Sequence, residues 1–140
     1  MARLACAGAD SAMDTLGAYD RAVIETVQEN EQSIDMLADA VNNYLVRLSG
    51  HMEADDNSVL LNYYLQCFSE FERIGDYAVN LTESAEELHA RGAQFSTTAR
   101  QELAVLQDAL HEIMGYAADA FTTRQARVAR HIEPVEEGID

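Results

Sequence analysis

Apolar residues recur along most of the chain at alternating intervals of four and three, which is the spacing of one face of an α-helix. The first such stretch runs from Ala2 to about Gly17. The second follows Asp20, a suitable N-cap, and ends at Ser49, where Gly50 provides a C-terminal stop. Its predicted seam against another helix consists of Val23, Val27, Asn30, Ile34, Leu37, Val41, Tyr44 and Leu48. A flanking line consists of Ile24, Glu31, Ala38 and Leu45.

A third helix is predicted over about residues 57–89, after a polar loop at 50–58. Its seam consists of Leu60, Tyr64, Cys67, Phe71, Ile74, Ala78, Leu81, Ala85 and Leu88. A second apolar line consists of Leu61, Leu65, Phe68, Val79 and Thr82. Because more than half of its circumference is apolar, we expect this helix to contact at least two neighbours.

A fourth helix is predicted after Arg91, Gly92 and Ala93, with Thr98 and Gln101 as a capping box at its start. Its seam consists of Ala99, Leu103, Leu106, Leu110, Ile113, Ala117 and Ala120. The pattern predicts that it stops near Thr122 and Thr123, and that a fifth helix runs through Val128 and Ile132.

An internal repeat connects the two ends of the chain. A shift of 105 residues superposes without a gap Asp14 on Asp119, Leu16 on Phe121, Val23 on Val128, Val27 on Ile132, Glu31 on Glu136, Ile34 on Ile139 and Asp35 on Asp140. We interpret the chain as a single domain of two tandem three-helix units, a first over about residues 1–92 and a partial second over about 96–140. A chance match between amphipathic helices is the alternative.

Composition supports an all-α helical bundle. The 140 residues include one proline and seven glycines, and 48% of them are hydrophobic, enough for a core. Two cysteines, Cys6 and Cys67, lack metal-binding spacing and are expected to be reduced thiols, with Cys67 in the core. No apolar run is long enough to cross a bilayer, so we expect no direct membrane insertion.

The net charge of −16, from 25 acidic and 9 basic residues, narrows the possible partners. Such a surface repels nucleic acid and anionic lipid, so neither is expected to be a ligand. Cations are the natural counterpart, although acidity also serves solubility.

Pairs of carboxylates four residues apart lie one turn from each other on a helix. Two such pairs on facing helices would place four carboxylates around one point, which requires a metal ion or protons between them. Glu31 and Glu72 both interrupt apolar sectors of their helices. The candidate pairs are Glu31 with Asp35, Glu72 with Asp76, and Glu136 with Asp140.

Spacing alone is a weak signal in so acidic a chain. The same interval separates Asp10 from Asp14, Glu25 from Glu29, Glu83 from Glu87 and Asp108 from Glu112. His51, His89, His111 and His131 are scattered without ligand spacing and are expected at the surface. The aromatic side chains of the third helix are expected to serve packing. There is no phosphate-binding glycine loop and no nucleophile beside a base.

The stretch from Glu72 to Leu81, Glu-Arg-Ile-Gly-Asp-Tyr-Ala-Val-Asn-Leu, resembles the Glu-Arg-Ile-Gly-Asp-His-Ala signature of the PhoU family. Tyr77 stands where the signature has histidine. The segments 31–35 and 44–49 are similar to the preceding helix of that family, and most of all to the PhoU-like cytoplasmic domain of sodium/phosphate cotransporters. The resemblance covers about residues 10–88.

This resemblance implies an all-helical regulatory domain in phosphate transport, built from two three-helix repeats, and not an enzyme. It implies a divalent or trivalent metal such as iron, manganese or zinc, held by Glu31, Asp35, Glu72 and Asp76, with Glu136 and Asp140 as half of a second site. The implied partner is a membrane phosphate transporter, which the same polypeptide could contain. The implied location is cytoplasmic, at the inner face of the membrane, and a homo-oligomer is compatible with this.

Two other classes of protein are alternatives to this interpretation. One is a metal-free helical module for protein interaction or oligomerisation, whose acidic pairs are simply solvated. The other is a di-metal carboxylate enzyme of the ferritin-like kind, which uses Glu-x-x-His helices. Neither Glu31 nor Glu72 has a histidine three residues later, which argues against the enzyme.

Overall fold

The structure, a computed structural model, describes residues 1–49 and 56–138. These residues form helices and connecting turns without any strand, so the predicted all-α fold is confirmed. The helices are α1 (Ala2–Gly17), α2 (Arg21–Ser49), α3 (Asp56–Ala90), α4 (Thr97–Thr123), α5 (Ala126–Ala129) and α6 (Ile132–Glu136). The predicted bounds of the first four helices agree with these within a residue or two. Gly50, His51 and most of the predicted 50–58 loop lie outside the described residues.

Helix α1 is the centre of the bundle, because it packs against α2, α3 and α4. Apart from Met13, its buried side is made of small residues, which allow the neighbouring helices to approach closely. Gly8 is one of them, since a Cβ added there would lie 4.0 Å from the Cβ of Ala78 on α3. The other small buried positions of α1 are Ala2, Ala5, Ala9 and Ala12.

Helix α3 packs against both α1 and α2, which confirms the expectation of at least two neighbours. Phe71, Ala78, Ala85 and Thr82 are buried, whereas Leu60, at the start of the predicted seam, is 51% exposed. The predicted core position Cys67 is partly buried and packs against the cluster that contains Ile34 and Phe71. Both cysteines are free thiols.

The N-terminal cap of α2 is the predicted one, because the Asp20 carboxylate accepts the backbone N–H of Ala22 at 2.9 Å. Val27 and Ile34 of the predicted seam are buried, but Leu37, Tyr44 and Leu48 of the same seam are exposed. Ile24 and Ala38, which were predicted only as a flanking line, are buried as well. Helix α2 has 29 residues and α1 has 16, lengths of about 43 and 24 Å, so the far half of α2 extends past α1.

Helix α4 contacts α1, and its Phe121 side chain packs against α3. The ring of Phe121 meets those of Phe71, Phe68 and Tyr64 edge-on, with centroids 5.0, 5.9 and 6.2 Å apart. The expectation that these aromatic side chains serve packing is confirmed for this group. Tyr63 and Tyr77 are instead more than half exposed.

The predicted capping box of α4 is wrong. The cap is Ser96, whose hydroxyl accepts the backbone N–H of Ala99 at 3.1 Å, so Thr98 lies inside the helix. A serine at the N-cap accepts the unpaired backbone N–H three residues later, so the helix begins two residues before the predicted cap. The helix ends at Thr123 as predicted, and Arg124 follows in the left-handed conformation at φ 55°.

The prediction of a single fifth helix is also wrong, because α5 and α6 are separate short helices with a turn at Arg130 and His131. Pro134 gives the reason: it has no N–H for the carbonyl of Arg130, and its ring would clash with that carbonyl in a continuous helix. The two-repeat organisation stays a prediction, since Ile139 and Asp140 lie outside the described residues.

No helix of residues 1–49 and 56–138 combines the length and the hydropathy that a membrane-spanning segment requires.

Candidate metal centre

Helices α2 and α3 approach each other closely at Gly75, which is buried. A Cβ added to this glycine would lie 3.2 Å from Cδ1 of Ile34 and 3.8 Å from Cγ of Glu31. Gly75 stands between Glu72 and Asp76, so the two acidic pairs of the sequence are brought to opposite sides of one helix contact. The absence of a side chain at Gly75 is what permits this approach.

The four carboxylates occupy the positions that the sequence predicted. Glu31 and Glu72 are half-buried, as expected for residues that interrupt apolar sectors, and Asp35 and Asp76 are exposed at the polar margin. The site therefore opens to solvent on its aspartate side and borders the core on its glutamate side.

The carboxylates interact across the helix contact. Burial is the largest cause that raises the pKa of Glu31, and the negative charge of Asp35 and a hydrogen bond with it follow. The charges of Asp76 and Glu72 on α3 raise it further. Negative charge thus accumulates at this place without a matching positive charge.

Basic side chains do not neutralise this cluster within the described part of the chain. Arg73, although it lies next to Glu72 in sequence, is directed elsewhere. Its guanidinium donates to the Glu70 carboxylate at 2.9 Å and to the Tyr77 hydroxyl at 3.5 Å. Four acidic groups on facing helices therefore keep carboxylate oxygens free for a cation.

The side chains are close enough to repel one another but are not gathered as ligands. Among residues 1–49 and 56–138, no set of three or more His, Cys, Asp or Glu side chains is placed to hold a metal ion. The chemistry of the donor set fits a hard cation, since all four groups are carboxylates. Metal binding by Glu31, Asp35, Glu72 and Asp76 stays a prediction.

The suggested second site is only half described. Glu136 is exposed on α6, and its predicted partner Asp140 lies outside the described residues. The structure therefore does not test whether these two carboxylates belong to one site.

Sequence reasoning missed a polar contact between α1 and α4. Asp10 lies 2.7 Å from Nδ1 of His111, and Asp14 accepts from the Gln107 amide at 2.6 Å. The sequence did contain a signal for this contact. Gln107 and His111 on α4 are four residues apart, as Asp10 and Asp14 are on α1, so the two pairs can contact each other side by side. His111 is exposed as expected, yet it has this partner.

One Glu-x-x-His spacing does occur, at Glu86 and His89 near the end of α3. The His89 ring stacks on that of Tyr19, with centroids 3.9 Å apart and planes 7° apart. Both rings line a separate cavity of about 290 Å³ at the end of α1, which none of the four candidate carboxylates lines.

Comparison with known proteins gives one match. The family model described as PhoU domain matches residues 1–85, which include α1, α2, most of α3 and all four candidate ligands. Neither the curated proteins nor the solved structures include a significant match to the chain.

Proposed function

The chain belongs to the PhoU family, and from that membership we propose that it is a metal-binding domain that regulates phosphate transport. PhoU domains are regulatory helical domains and not a known enzyme family. The family membership supports the role in phosphate transport, and the carboxylates between α2 and α3 support the binding of a metal ion.

The observation that carries the metal proposal is the facing position of two acidic pairs at the Gly75 contact. Glu31 and Asp35 would hold the ion from α2, and Glu72 and Asp76 from α3. Carboxylates suit manganese, and they also serve among the ligands of zinc and of iron. When bound, the ion supplies positive charge that removes the repulsion between the two helices.

The chain's own residues determine what such binding would change. Gly75 and Ile34 hold α2 and α3 at short range, and the ion would add a second connection between the same helices. The C-terminal half of α2 and the N-terminal half of α3 extend beyond α1. A stiffer contact between the two helices would therefore change the position of these two halves.

The proposed partner is a membrane phosphate transporter, and the chain would be the cytoplasmic domain of a sodium/phosphate cotransporter or a free-standing relative. Support comes from the similarity of segments 31–35 and 44–49 to the PhoU-like domain of those cotransporters. A homo-oligomer is compatible with this arrangement.

The test is elemental analysis by mass spectrometry after dialysis without chelator. We compare the native protein with a Glu72→Gln, Asp76→Asn double variant. The control is Glu83→Gln, Glu87→Gln, an exposed acidic pair with the same spacing on the same helix. We expect about one or more metal equivalents in the native protein and in the control. The site variant should lose the metal, and equal metal in all three proteins would contradict the proposal.

A metal-free interaction module is the second candidate, favoured by large exposed apolar side chains on the far halves of α2 and α3. These include Met36 at 66%, Tyr44 at 65%, Val59 at 73% and Tyr63 at 55% exposure. Analytical ultracentrifugation in EDTA separates the candidates, because stable self-association without metal would favour this module.

A further inference from the structure

A cavity of about 640 Å³ lies between α3 and α4, and α5 and α6 contribute to its wall. Its volume falls in the range of about 300–1,000 Å³ that small-molecule sites occupy. None of Glu31, Asp35, Glu72 and Asp76 lines it, so it is separate from the candidate metal centre.

The walls are mainly apolar and partly aromatic. Phe71 and Tyr64 of α3 face Phe121 of α4, and Leu60 and Ile132 extend the apolar surface on either side. The rings hold one another edge-on, so these walls are preformed by packing within the bundle. An apolar body of a ligand would replace water there.

A positive side chain stands at this cavity, although the protein is strongly acidic. Arg124 lines the cavity, and its guanidinium lies 5.9 Å from the centre of the Tyr64 ring. Residues 120–132 contain no carboxylate, and Arg124, Arg127 and Arg130 are three of nine basic residues in a chain of net charge −16. The three arginines have no ion pair with any described residue.

Glu70 is the only carboxylate that lines the cavity among the described residues. Its side chain is bound by Arg73 at 2.9 Å, on the same helix. The free charge at the cavity is therefore the positive charge of Arg124.

We propose that this cavity binds a free anionic amphiphile, a small molecule with an apolar acyl or aryl body and one negatively charged head group. The body packs against the wall that Phe71, Tyr64 and Phe121 form, and the head group accepts hydrogen bonds from the Arg124 guanidinium. A free molecule fits better than an anionic bilayer, because the cavity is concave and the net charge of −16 repels such a surface.

Two fluorescent probes of similar aromatic body test the proposal. Anilinonaphthalene sulfonate carries a negative charge, and N-phenyl-1-naphthylamine is neutral. The native protein should bind both, and Arg124→Gln should weaken the anionic probe about tenfold while the neutral probe keeps its affinity. Arg124→Lys keeps a positive charge and should restore part of the loss. Arg21→Gln, at an exposed arginine on α2, should change neither affinity.

A second variant tests the place of binding. Ala120 lines the cavity, and Ala120→Phe should abolish binding of both probes. Ala104→Phe makes the same change at an exposed position of α4 and should leave binding intact. Circular dichroism establishes that both variants are folded. Binding that survives Ala120→Phe, or an anionic probe insensitive to Arg124→Gln, would overturn the proposal.

Vesicles of dioleoyl phosphatidylglycerol distinguish a bilayer from a free molecule. The native protein should not sediment with them. Sedimentation that Arg124→Gln removes would assign this surface to a membrane and overturn the free-ligand proposal.

Discussion

Glu31 connects the core to the candidate metal centre at the scale of one residue. It interrupts a line in which Ile24 and Ala38 are buried, and it is itself half-buried. Burial and the carboxylates of Asp35, Asp76 and Glu72 all raise its pKa. A carboxyl group whose pKa is higher in the folded than in the unfolded protein favours folding while it is protonated. This contribution to stability is fully present below the unfolded-state pKa and is lost as pH rises through the folded-state pKa. Ionised Glu31 therefore opposes folding at neutral pH.

We predict that Glu31→Gln raises the free energy of unfolding of the metal-free protein by about 0.5 kcal/mol at pH 7, because it removes like-charge repulsion. This gain in the free energy of unfolding should shrink as pH falls toward the ordinary glutamate pKa of 4.5, because the Glu31 carboxyl of the native protein becomes protonated. Urea unfolding in EDTA at both pH values measures it. Glu102→Gln, at an exposed position of α4, is the control and should show little change at either pH. A native protein more stable than Glu31→Gln at pH 7 would show that the ionised carboxylate has a favourable partner.

At the scale of elements, the contact between α2 and α3 depends on one missing side chain. The Cδ1 atom of Ile34 lies 3.2 Å from where a Cβ on Gly75 would be, and Ile34 is only 1% exposed. A buried isoleucine has little room to move away. The same short range keeps the two acidic pairs on facing sides of the contact.

We predict that Gly75→Val lowers the free energy of unfolding by about 1–3 kcal/mol, because the added atoms force α2 and α3 apart. It should also lower the metal content, since the separation moves Glu31 away from Glu72. Gly115→Val is the matched control, as Gly115 lies in α4 with nothing within 4 Å of an added Cβ. Chemical denaturation and elemental analysis measure the two effects. Equal stability of both variants would mean that the α2–α3 contact tolerates a side chain.

Local sequence patterns were sufficient to predict some helix caps and helix bounds. Asp20 caps α2 as predicted, and α1 has the predicted bounds, because caps and helical periodicity are properties of neighbouring residues. The cap of α4 was assigned to Thr98 instead of Ser96, since both fit the local pattern and only the hydrogen bond to Ala99 distinguishes them. The break before α6 follows from Pro134, a local signal that the repeat pattern obscured.

At the scale of the whole molecule, the net charge of −16 is distributed unevenly. Four carboxylates lie on the two sides of the α2–α3 contact, whereas residues 120–132 carry arginine and no carboxylate. The protein therefore presents an acidic cluster and, separately, a basic segment beside the cavity between α3 and α4.

We predict that Mn²⁺ raises the unfolding temperature of the native protein more than that of the Glu72→Gln, Asp76→Asn variant. An ion that binds only the folded state at a concentration of 100 times its Kd stabilises it by about 2.7 kcal/mol. Differential scanning calorimetry with and without Mn²⁺, at constant ionic strength, measures the difference. An equal rise in both proteins would indicate general charge screening by the cation instead of a site.

The sequence by itself determined the four long helices and the acidic pairs, because these depend on spacing within a few turns of one helix. It also carried the PhoU signature in residues 72–81. The tertiary structure decided which apolar positions are covered: on α2 the flanking positions Ile24 and Ala38 are buried, whereas Leu37 and Tyr44 of the predicted seam are exposed. It alone placed Phe121 on α3 and Arg124 beside a cavity. These relations join residues fifty or more positions apart, which local periodicity does not specify.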